Sequence, residues 1–108
     1  MFTDVDWVII GVGAKNGSSK IPFFRARRII TDSLPPFREM DIPRESMIAK
    51  IDDKGQKVFT MYQDDMGENT LGEKVSVTRR KYLRTDMNNI AMDNLENLPV
   101  VERLPSKL

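Results

Sequence analysis

Apolar residues come in short runs along this chain, separated by glycine, proline and charge, and the period changes from run to run. Asp6-Trp-Val-Ile-Ile-Gly-Val12 is a β-branched run of the kind that buries both faces of a strand, and it predicts a first strand. Lys15-Asn-Gly-Ser-Ser19 follows, and Asn-Gly tolerates the positive φ angles of a hairpin turn. A second strand is therefore expected from Ile21 to Ile30. There Phe23, Arg25 and Arg27 share one face, Phe24, Ala26 and Arg28 share the other, and Pro22 suits the start of the strand.

From Thr31 to Ile42 the segment TDSLPPFREMDI contains Pro35-Pro36 and no clear period, which predicts a loop. From Pro43 through Asp53 a short helix is expected, with Pro43 in the first turn and Glu45 favouring the dipole. Met47, Ile48 and Ile51 then share one face, and Lys54 and Gly55 supply a terminal charge and a left-handed cap. Lys57 to Tyr62 reads as a third strand, Val58, Thr60 and Tyr62 alternating against Phe59 and Met61. A polar, acidic connection runs from Gln63 to Gly72, and a fourth strand from Glu73 to Thr78 holds Val75 and Val77 on one face.

This order predicts an α+β fold. Two hairpins make a small antiparallel sheet of about four strands, with one short helix packed on it in the order strand-strand-helix-strand-strand. Trp7, Ile9, Val12, Ile48, Ile51, Phe59, Met61, Val75 and Val77 are the expected core.

Beyond Lys81 the periods fail. Asn88-Asn89, Asp93-Asn94 and Asn97 are suited to capping short turns, and Pro99 and Pro105 stop any helix. Leu95 and Leu98, three apart, fit one face of a helical turn; they, Val100 and Leu104 are expected to pack back on the domain. The expectation is an ordered, irregular C-terminal arm. Arg84 is the residue expected to hold it, through Asp86, Asp93 or a main-chain carbonyl of the arm.

Tyr82-Leu-Arg-Thr-Asp86, a few polar residues, and Asp93-Asn-Leu-Glu-Asn-Leu-Pro99 also carry a resemblance. They resemble the C-terminal signature of a family of short bacterial and phage proteins, the domain of unknown function numbered 3892. That pattern is an aromatic-Leu-Arg-Thr block, an Asp-Asn-Leu block and a closing Asn-Leu-Pro. Ile9-Ile-Gly-Val12 with Asn16-Gly17 is similar to the family's opening hairpin. Pro43 to Ile51, followed by Gly55 to Tyr62, resembles its short helix and next strand. Between Ile29 and Ile42 the chain departs from the pattern, as if by insertion. The resemblance implies a small strand-strand-helix-strand-strand domain and brings no activity with it.

At 108 residues, 40% apolar and 31% charged, the chain has the size and composition of one ordinary globular domain. No apolar run is long enough to span a bilayer as a helix, and the acidic residues near Met1 do not suggest a secretory signal, so no membrane association and a cytoplasmic address are expected. Neither cysteine nor histidine occurs, which removes disulfides, thiolate nucleophiles, imidazole bases and nearly every zinc site.

Gly11-Val-Gly-Ala-Lys-Asn-Gly17 lacks the third glycine and the following helix of a dinucleotide fingerprint, and no Gly-Lys-Ser/Thr ending marks a phosphate loop. Asp52-Asp53 and Asp64-Asp65 are neighbours whose carboxylates diverge, and Asp64, Asp65 and Glu68 do not match a calcium-loop spacing. No enzyme, cofactor or metal is expected.

Charge placement says more than the net charge of +1. Lys15, Lys20, Arg25, Arg27 and Arg28 fall in an acid-free span from Trp7 to Thr31, and Lys74, Arg79, Arg80, Lys81 and Arg84 fall in another from Lys74 to Thr85. Asp52, Asp53, Asp64, Asp65, Glu68 and Glu73 lie between them. Two functions follow as expectations. One is a non-enzymatic module that binds a protein partner, with the proline-stiffened loop of Leu34, Pro35, Pro36, Phe37 and Met40 as a recognition element. The other is a nucleic-acid-binding module whose arginines meet phosphates while aromatic rings stack on bases. Arg25, Arg27, Arg28, Phe37, Arg79, Arg80, Tyr82 and Arg84 are the candidate binding residues for the two readings. A solvated basic face whose arginine stems cover apolar surface is the alternative to the nucleic-acid reading.

Overall fold

A computed structural model describes residues 5–29, 39–63, 65–85, 92–95 and 98–103. Strand β1 (Trp7–Val12) pairs antiparallel with β2 (Phe23–Arg28), and β2 pairs antiparallel with β3 (Glu39–Pro43). Helix α1 (Arg44–Asp52) follows, then β4 (Val58–Gln63), β5 (Asn69–Lys74), β6 (Ser76–Val77) and β7 (Leu83–Arg84). The order across the main sheet is β3-β2-β1-β4-β5, and β6 and β7 form a separate antiparallel pair. The α+β class stands, with seven strands in two sheets among the described residues.

Three expectations need correction. The sheet is mixed, because β1 and β4 run parallel, Trp7 opposite Val58 and Ile9 opposite Thr60. Returning from β3 through α1 brings the chain back to enter β4 in the direction of β1. Secondly, the end of the segment read as a loop is strand β3. Finally, the single strand expected from Glu73 to Thr78 is two, with Val75 at the break between β5 and β6. The remainder of the expected loop, with Leu34, Pro35, Pro36 and Phe37, lies outside the described residues, as do Asp64, Asp86, Asn88, Asn89, Asn97, Leu104 and Pro105.

The local devices follow from the sequence. Asn16 and Gly17 take φ of 53° and 84°, and Ser18 N–H closes their turn on Lys15 O at 3.0 Å. Pro43 is extended (φ −59°, ψ 153°), so it ends β3 and caps α1 instead of lying inside the helix. Gly55, at φ 64°, turns the chain out of the helix, as its missing side chain allows. In β5 an extra residue opposes Thr60: the register runs from Phe59–Lys74 to Met61–Leu71. The Thr60 hydroxyl fills the space beside Gly72 and accepts the Glu73 N–H at 3.0 Å, pairing the donor that the bulge would orphan.

Helix α1 covers one face of the sheet. Met47 is fully buried there, in one cluster with Trp7, Ile9, Val12, Ile21, Phe24, Ala26, Ile42, Val58, Val75, Leu83 and Leu95. Ile48, Ile51 and Val77, expected in the core, are half-buried at its margin. The opposite face holds Val5, Val8 and Met61, flanked by half-buried Ile10, Ile29, Phe59 and Leu71. With strands on both sides and apolar clusters on both faces, β1 needs the near-continuous apolar run that the sequence displays.

Candidate functional site

The chain after β6 folds back as an arm centred on Asp93. Thr78 and Tyr82 close the β6–β7 connection: Thr78 N–H donates to Tyr82 O at 2.8 Å, and Tyr82 N–H donates to the Thr78 hydroxyl at 3.1 Å. Lys81 sits there at φ 68°, and Arg79 and Arg80 stand exposed at the apex. Beyond β7 the arm adds itself to Leu83 and Arg84. Asn94 N–H donates to Leu83 O at 2.8 Å, and Thr85 N–H to Asn94 O at 3.1 Å. Leu95 and Leu98 then reach the main core.

Asp93 is wholly buried and uses every polar group it has. Its Oδ2 accepts from Ile21 N–H at 2.7 Å and Arg44 Nε at 2.9 Å; its Oδ1 accepts from Leu83 N–H at 2.8 Å and Arg44 Nη2 at 3.1 Å. Its main-chain N–H donates to Ser19 O at 2.8 Å, and its carbonyl accepts from Lys15 Nζ at 2.6 Å. One carboxylate thus joins the segment leading into β2, the first residue of α1, strand β7 and the arm. Such fork-to-fork arginine pairing is among the strongest of protein hydrogen bonds.

The candidate binding residues divide into three groups. Arg25 and Arg27 lie on β2 directly across from acids of β3. Arg25 is paired in two-pronged fashion with Asp41, Nε to Oδ1 at 3.0 Å and Nη2 to Oδ2 at 3.3 Å. Arg27 Nη2 meets Glu39 Oε1 at 2.6 Å. Arg84 is 2% exposed and donates from Nη1 to Met92 O at 2.7 Å, the main-chain alternative expected of it. Arg28, Arg79 and Arg80 are exposed, and Tyr82 is half-buried with the Arg44 guanidinium 5.8 Å from its ring centroid. Phe37 lies outside the described residues. Arg79, Arg80 and Tyr82 thus lie in the β6–β7 connection with Arg84 buried on β7, and Arg25, Arg27 and Arg28 lie on β2.

Arg44, Glu39 and Asp41 are the partners that sequence reasoning passed over. Two bases two apart, Arg25 and Arg27, and two acids two apart, Glu39 and Asp41, form a matching pair of alternations that could have revealed the β2–β3 ladder. Elsewhere, Lys81 is held above its ordinary pKa, first by the hydrogen bond to Asp52 and then by that carboxylate's charge. Among the described residues, no helix is long and apolar enough to cross a membrane, and no three acids converge to hold a metal ion.

Large apolar side chains also reach solvent. On the β4–β5 hairpin Tyr62 is 40% exposed and Met66 85% exposed, beside exposed Asp65 and Glu68. Comparison with family models, curated proteins and solved structures finds no match to this chain.

Proposed function

We propose that this protein is a non-enzymatic interaction module that binds another protein through the β4–β5 hairpin. The observation that carries the reading is the exposure of Met66 and Tyr62 on one hairpin among acids. An exposed apolar anchor with acidic neighbours in sequence suits a partner presenting an apolar pocket with a basic rim. The cross-strand pairing of Arg25 and Arg27 supports it further, since their charge is already answered within the sheet. Affinity capture from cell extract tests this reading with three forms: the unaltered protein, Met66→Asp, and Arg79→Glu with Arg80→Glu. A stoichiometric partner should be retained by the first and third and lost by the second. Recovery of no such partner sinks the reading.

A nucleic-acid reading is favoured by one observation, the exposed Arg79-Arg80 pair beside Tyr82. It requires mobility shifts at low salt that weaken steeply as salt rises and vanish in the double glutamate variant.

A further inference from the structure

Both outer edges of the main sheet resist the addition of another strand. β3 carries Glu39 and Asp41 and ends at Pro43, which has no N–H to offer. β5 is bulged opposite Thr60. The inner margin of β1 differs. Its pairing with β4 covers Trp7 to Ile9, and beyond that point its bonds go to the arm. Val12 N–H donates to Pro99 O at 3.0 Å, and Val101 N–H donates to Val12 O at 2.8 Å. Val12 and Val100 form an isolated parallel bridge, so residues 99–101 run alongside β1, held by these two main-chain bonds.

The place is shaped for its occupant. A Cβ on Gly11 would sit 2.9 and 3.3 Å from the Val101 methyls, so the missing side chain makes room for a β-branched one. Arg25 Nη2 donates to Glu102 O at 2.5 Å, a contact indifferent to the occupant's side chain. The Arg103 guanidinium lies 4.6 Å from the Phe23 ring centroid. Yet the occupant is lightly held. Pro99, Val100, Glu102 and Arg103 are exposed, and Leu98 and Val101 are only half-buried. A segment with so little buried apolar surface opens at less than the free energy of global unfolding.

We infer that the slot beside Gly11 and Val12 is a recognition site for an extended partner segment of the type apolar–Pro–β-branched–β-branched, and that residues 99–101 are its resident occupant. Binding is by parallel strand addition: main-chain bonds to Val12 give affinity, and the space above Gly11 selects the side chain. The chain's own segment competes, so a partner sees an affinity lowered by the fraction of time the slot is open. The inference rests on the reading of the protein as a protein-binding module and adds a second surface to it.

A fluorescent peptide of sequence Leu-Pro-Val-Val-Glu-Arg, titrated by anisotropy against the full chain, tests it directly. Val101→Asp should bind the peptide about tenfold or more tightly than the unaltered protein, because the resident segment is weakened. Adding Gly11→Val to that variant should abolish binding, as should an aspartate at the peptide's fourth position. Equal affinity of Val101→Asp and the unaltered protein overturns the inference. Should Val101→Asp lose its circular dichroism signature, hydrogen exchange on the unaltered protein decides. The Val101 amide should then exchange about tenfold or more faster than those of Val8 and Ile9. Equal rates overturn the proposal. Peptide binding and Met66-dependent capture are separate readouts, so failure of one is distinguishable from failure of the other.

Discussion

Removing the Asp93 carboxylate is the most demanding perturbation this fold offers. In Asp93→Ala, Ile21 N–H and Leu83 N–H lose their acceptor, and Arg44, whose side chain is 11% exposed, loses its counter-charge. Each buried donor left unpaired costs about 1–3 kcal/mol. Breaking a buried ion pair from one side costs about 3–5 kcal/mol. The three losses share one group and are not additive, but even the ion-pair figure alone approaches the stability of a marginal domain, about 5 kcal/mol. Asp93→Ala is therefore expected to be largely unfolded at 25 °C. Asp93→Asn keeps the volume and one acceptor, turns an amide towards groups that can only donate, and should fold with a lowered urea midpoint. Urea titration followed by circular dichroism measures both, and combining Asp93→Asn with Arg44→Met in a double-mutant cycle isolates the pair. A loss under about 1 kcal/mol in Asp93→Ala would show that the arm closes the fold without its carboxylate, and the account above would be wrong.

Arg84→Ala should destabilise by about 1.5–3 kcal/mol in the same urea assay, since a charged buried donor to Met92 O is lost. Met47→Ala should cost about 2–5 kcal/mol, as removal of a fully buried side chain does, and Ile48→Ala should cost less because Ile48 is only half-buried; the reverse order would misplace the helix on the sheet. Lys81 gives the pH prediction. Its folded pKa is raised from 10.5, so its contribution is complete below that value and is lost as pH climbs through the raised one. Lys81→Met should flatten the stability profile on that alkaline side and leave neutral pH nearly unchanged, as an exposed pair contributes little.

Much of the fold is written locally. The apolar run of β1, the Asn16-Gly17 turn, the alternation of β4 and the Gly55 exit from α1 are each set by neighbours in sequence, and each is visible there. Strand β3 is not, because Glu39, Met40 and Asp41 look like loop residues until Arg27 and Arg25 stand opposite them. Edge strands take their character from the strand they pair with. The parallel match of β1 with β4 is invisible for the same reason, since no local period records direction. In the arm, Arg84 is legible as an anchor. Asp93, however, resembles any turn-forming aspartate, and its burial arises from groups near Ile21, Arg44 and Leu83 that only the fold assembles.

The siting of residues 99–101 beside Val12 has a consequence for synthesis. β1 is made well before Val101, and its inner margin is completed only once Val101 has been translated. At about 5–20 residues per second, the interval between Val12 and Val101 lasts on the order of 5–20 s. Throughout it the nascent chain presents a β-branched strand with one stretch of backbone unpaired, the kind of edge that recruits other strands. A ribosome stalled shortly before Pro99 would hold out a chain whose central strand is still open.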